Sequence, residues 1–127
     1  MNNYSKTLLR FSAAFGLIGA LMGAHMAGSG AYELRPIHAH ILVVGWLSLF
    51  SWSVFYKVFK SNEGLLTKLH VWTAIIGSIG LTLGMLFEFV NPFNLPSSIT
   101  LIIYIIGGSV LLISYILFFV LTLMTKE

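Results

Sequence analysis

The side chains here that could hold a metal or carry a proton within an apolar medium are few: His25, His38, His40, His70 and Glu88. Imidazole is a good ligand for iron, copper and zinc, and its neutral form tolerates a low-dielectric setting once a metal or hydrogen bond satisfies its nitrogen. There is no cysteine, which removes disulfides, thiolate metal sites and cysteine-ligated clusters. Any metal is therefore held by nitrogen or oxygen. His38 and His40 stand two residues apart in "ELRPIHAHILVVGW". On a helix that spacing separates them by about 200°, so they face nearly opposite ways and are poorly placed to chelate one ion together.

The elements that position these groups follow from composition. The chain has 127 residues, of which 57% are hydrophobic and 9% charged, with a mean hydropathy of +0.93. That balance describes an integral membrane protein in contact with the lipid bilayer. Four apolar runs, Thr7 to Met26, Ile37 to Val58, Leu69 to Val90 and Ile99 to Met124, are each close to the roughly 20 residues that span hydrocarbon. The expectation is an all-α, single-domain, integral membrane four-helix bundle, with helices at about 7–28, 37–59, 67–90 and 98–124. The first run lacks a convincing cleavage site and reads as a retained helix rather than a signal peptide.

Lys6 and Arg10, then Lys57, Lys60 and Lys68, then Lys126 carry six of the seven basic charges. The positive-inside rule puts both termini and the middle connection in the cytoplasm and yields two transmembrane hairpins. The net charge of +3 thus encodes orientation, and no nucleic-acid partner is expected. Pro36 suits the first turn of the second helix, and Pro92 and Pro96 break the chain between the third and fourth. "GLIGALMG" and "GSIGLTLG" each hold a small-xxx-small pair, Gly19/Gly23 and Gly80/Gly84, which reads as close helix packing in lipid.

Taking helix centres near residues 17, 47, 79 and 111, His25, His38, His40 and Glu88 fall about 10 to 14 Å toward the outer side at 1.5 Å per residue. Three imidazoles and a carboxylate at one level suggest haem or metal ligation. Glu88 has three readings: ligand, proton carrier, or partner of Arg35. His70, beside Lys68 at the other boundary, reads as a hydrogen-bonded interfacial side chain and a lesser metal candidate. Below His38 its face carries Ile41, Leu42, Gly45, Ser48 and Trp52, where Gly45 leaves a notch for a flat macrocycle. Below His40 come Val43, Val44, Leu47, Ser51 and Val54, a smooth apolar wall. Trp46, Trp52, Trp72 and the tyrosines read as interfacial anchors and packing.

The stretch "LRPIHAHILVVGWLSLFSWSVFYKVF" resembles the second transmembrane helix of haem-copper oxidase catalytic subunits, above all the C-type (cbb) branch and its nitric oxide reductase relatives. There an L-R-P-L-H motif carries an axial ligand of the low-spin haem b. "FGLIGALMGAHMAGSG" is similar to the preceding helix. "KLHVWTAIIGSIG" resembles a K-x-H-F-W-x-x-x-x-G segment of the same superfamily and of small oxidase-like membrane proteins, which also carry H-A-H-x-x-x-x-G-W. The resemblance covers residues 11 to 58 and implies that His38 is an axial haem ligand, with Gly45 and Trp46 lining the haem and Arg35 near a propionate. The copper ligands and remaining machinery of that family belong to later helices, so oxygen or nitric oxide reduction is not implied. The second axial ligand is not supplied by the resemblance; His25 is the candidate from depth.

Three functions compete. The first is a b-type haem-binding protein of the bacterial cytoplasmic membrane, with haem b between His38 or His40 and His25, serving electron transfer or gas or haem sensing. The second is a non-haem copper, zinc or iron site of His25, His40 and Glu88, serving metal delivery or oxidase assembly. The third is a structural subunit whose histidines only hydrogen-bond. Because one of His38 and His40 must look outward, a homo-oligomer or association with respiratory-chain membrane subunits is expected, packed through the glycine-rich first and third helices.

Overall fold

The computed structural model describes residues 3–59 and 64–126. Lys60 lies outside the described residues. Among the described residues four helices, each long and apolar enough to cross a membrane, pack as a bundle: α1 (Tyr4–Ser29), α2 (Tyr32–Val58), α3 (Leu65–Phe89) and α4 (Ser97–Met124). They start up to five residues earlier than the apolar runs suggest, and among the described residues the start of α1 is the one with a side-chain cap. The Asn3 side-chain carbonyl accepts from the Lys6 amide at 3.0 Å, satisfying a donor that the first turn leaves free.

Gly30 closes α1 in the left-handed region at φ 70°, which glycine adopts without steric penalty. A 3-10 turn, Tyr32–Leu34, opens α2, with Pro36 in the first turn of its α-helical part as the sequence suggests. Asn91, at φ 51°, folds the α3–α4 connection by bonding both the amide and the carbonyl of Leu95. The end of the bundle carrying these two tight connections is termed the hairpin end; the other, where α1 starts and α4 stops, is termed the terminal end.

Glycines decide how closely the helices approach. On α1, a Cβ at Gly16 would lie 2.8 Å from the Trp46 ring, one at Gly19 2.5 Å from Leu42, and one at Gly23 2.9 Å from the His38 ring. Three side chains of α2 thus rest on three glycines of α1. The α3–α4 seam is closer still, backbone against backbone: a Cβ at Gly77 would meet the Leu111 backbone at 2.5 Å, one at Gly84 Tyr104 Cα at 2.5 Å, and one at Gly107 the Gly80 carbonyl carbon at 2.3 Å. The small-residue pairs on α1 and α3 therefore serve packing within each hairpin, which leaves other surfaces for contact between copies.

The hairpins meet around Leu8, Phe15, Ile37, Ile41, Leu49, Trp52, Val71, Ala74, Ile75 and Met85. Outward-facing residues are apolar too: Leu17, Leu21, Leu112, Phe119 and Leu123 are all more than half exposed, as lipid-facing surface should be. Beyond its opening 3-10 turn, a second stretch of α2 departs from α geometry. Ile41–Ser48 is π-helical, between α-helical Arg35–His40 and Leu49–Val58.

Candidate functional site

Pro36 lies in the first turn of the α-helical part of α2, and its carbonyl accepts from the ring of His40, whose Nδ1 lies 2.8 Å from the oxygen. A carbonyl can only accept, so Nδ1 carries the proton and Nε2 of a neutral ring keeps its lone pair. A backbone carbonyl fixing the tautomer in this way is how ligating histidines are commonly oriented. His40 is exposed on the bundle surface, and below it Val43, Leu47 and Val54 are 54%, 46% and 43% exposed. The smooth wall expected under His40 is present and open, apart from Val44, which turns inward at 7%.

His38 faces the other way, as helical spacing requires. Its ring lies against Gly23 of α1, and its Nδ1 is buried without a hydrogen-bond partner. The notch at Gly45 is not available to a macrocycle. Phe15 of α1 fills it so tightly that a Cβ at Gly45 would fall 2.2 Å from the Phe15 ring. Trp46 is held on Gly16, and Arg35 stacks on the Tyr32 ring, with its guanidinium carbon 4.2 Å from the centroid.

His25 does not complete a pair with His38. It is exposed near the end of α1, where Ser29 Oγ donates to the His25 carbonyl at 2.8 Å and lies 3.5 Å from its Nε2. Glu88 is taken by α4: Thr100 Oγ1 donates to its Oε2 at 2.6 Å. Common depth thus fails to become common location, because azimuth differs from helix to helix. Among the described residues no group of three His, Cys, Asp or Glu gathers as a metal site. The non-haem centre expected from His25, His40 and Glu88 does not assemble within one chain. The interior haem site between His25, His38 and Gly45 does not fit either. A groove of about 370 Å³ between α1 and α3 is lined by apolar residues such as Phe11, Ile18, Met22 and Leu83, and no histidine borders it.

At the terminal end the sequence reading underrates His70. It is wholly buried, with Nδ1 2.6 Å from the Tyr56 hydroxyl and Nε2 buried and unpartnered. Trp52 meets the ring edge-on with centroids 4.7 Å apart, and Phe118 lies at 5.4 Å. Tyr4 packs on Tyr56 at 6.4 Å, so all four helices contribute to this aromatic enclosure. Trp52 and Tyr56, read from the sequence as interfacial anchors and packing, take the packing role and form its walls. Their i, i+4 spacing on α2 is the signal that would have put both on one face.

Compared with known protein families, curated proteins and solved structures, the chain shows no match.

Proposed function

We propose that the chain is a b-type haem-binding protein of the bacterial cytoplasmic membrane, in which His40 is the axial ligand presented on the bundle surface. A second copy would supply the other axial imidazole across a two-fold contact, a self-complementary arrangement in which each copy offers the same patch. The observation that carries this reading is the His40 Nδ1 to Pro36 carbonyl bond, which leaves Nε2 as a free lone pair directed from an exposed residue. A polar ring on a span's outer surface is costly in lipid unless something satisfies it. The exposed wall of Val43, Leu47 and Val54 offers the flat apolar surface a macrocycle requires.

When bound between two imidazoles, haem supplies one-electron transfer. The protein's part is to fix the His40 tautomer through Pro36 and to keep water from the ligand face with aliphatic side chains. Arg35, exposed at the hairpin end, is the cation available to a propionate. Protein purified in mild detergent after expression with ample haem is expected to show the reduced α-band of b-type haem. Stoichiometric copper or zinc without Soret absorption would replace haem with a metal held between copies, and neither signal would reject both.

A further inference from the structure

Several serine and threonine hydroxyls of the bundle donate back three or four residues along their own helix, as Ser12 does to Leu9, Ser51 to Leu47, Thr73 to Leu69 and Ser109 to Ile105. Ser48 reaches back five, to the Val43 carbonyl at 2.9 Å. That is the step of the π-helical ladder, which bonds i to i+5. The Ser48 proton is therefore committed to Val43, and the Tyr115 hydroxyl, 2.6 Å from Ser48 Oγ, must be the donor in that contact. Tyr115 comes from α4 and is itself held edge-on by Trp52, with centroids 4.9 Å apart.

We propose that Ser48 and Tyr115 are positioning residues that hold Ile41–Ser48 in π register, and that this register sets which way His38 and His40 face. A π segment absorbs about one residue more than the α-helix covering the same turns, so rewinding it rotates everything before it by about 100°. With Leu49–Val58 fixed by its core contacts, each earlier residue would take the direction now held by the residue before it. His38 would enter the place of Ile37, which is 1% exposed in the core. Ala39, now exposed, would turn into the place of His38 against Gly23, and His40 would leave its present direction. Burying an unpartnered imidazole among aliphatic side chains is unfavourable, so the π register is what keeps Ile37 inside and the imidazoles at the helix 1 contact and the surface. The inference rests on the haem reading only for its consequence at His40, and its test needs no haem.

The chain has no cysteine, so an Ala39→Cys variant carries a single nitroxide, whose accessibility to oxygen is read by electron paramagnetic resonance in lipid vesicles. In the parent the label is expected to be mobile and oxygen-accessible. Adding Ser48→Ala or Tyr115→Phe should abolish that accessibility as the label turns against α1, whereas Ser48→Thr, which keeps a hydroxyl, should preserve it. Deleting Val43 removes the extra residue, so deletion alone should leave the label accessible, and deletion together with Ser48→Ala should restore it. A label that loses access on deletion alone would show a helix already in α register and overturn the proposal. So would a label indifferent to both Ser48→Ala and Tyr115→Phe. Should the serine and tyrosine variants fail to fold, the deletion alone decides. Since the readout is the nitroxide, a chain that binds no haem rejects the proposed function without touching this result.

Discussion

His38 and His40 show how far a single residue's chemistry can be read without a fold. Their opposition follows from 100° per residue and is present: one ring lies on Gly23, the other is exposed and bonded to Pro36. What each faces was not legible, because it depends on side chains contributed by another helix. Gly45 looks like space in one dimension, yet Phe15 from α1 fills it. His70 looks interfacial beside Lys68, yet Tyr56 and Trp52 enclose it. Two expectations belong at this scale. Tyr56→Phe removes the partner of a wholly buried imidazole and should destabilise the protein by about 1–3 kcal/mol, measured by thermal unfolding in detergent. Combining it with His70→Phe should cost less than the sum of the single changes, since neither half of the Tyr56–His70 pair is then left without the other; strict additivity would show that the pair is not coupled. At Gly45, alanine should destabilise through collision with Phe15, by about 1–3 kcal/mol, and Phe15→Ala in the same chain should relieve part of that loss.

The four helices were legible as apolar runs, and the glycine pairs as seams, because length and small-residue spacing are one-dimensional properties that lipid converts directly into structure. The partner of each seam was not. The α1 glycines accept Trp46, Leu42 and His38 of α2, and the α3 glycines accept the α4 backbone, so both are used within hairpins. The π segment was hidden for a different reason: Ile41–Ser48 is apolar nearly throughout and so carries no periodicity of its own, and the Ser48 to Val43 bond and the backbone reveal it. At this scale the glycines separate cleanly. Gly107→Ala drives a methyl to 2.3 Å from the Gly80 carbonyl carbon and should separate α3 from α4, with a loss of about 1–3 kcal/mol or more. Gly28→Ala, also helical but with nothing within 4 Å of its Cβ, should stabilise by about 0.5–1 kcal/mol. Equal effects at the two sites in an unfolding titration would deny the close α3–α4 contact.

At the scale of the whole molecule, a narrow bundle that keeps its glycine seams inside and turns an imidazole outward is suited to completing its site with a second copy. The α2 face carrying His40, Val43, Leu47 and Val54 is exposed, and the proposed function makes it the surface for that contact. Native mass measurement in lipid should find the haem-loaded protein as a dimer, and the His40→Ala protein should release haem and shift toward monomer. The most direct measurement is the haem content of purified parent, His25→Ala, His38→Ala and His40→Ala proteins, taken as reduced-minus-oxidised absorption against protein concentration. The expected result is one b-type haem per two chains in the parent, retained in His25→Ala and lost in His40→Ala. Haem kept at full occupancy by His40→Ala but lost from His25→Ala or His38→Ala would put the ligands inside the bundle and contradict the outward-facing site.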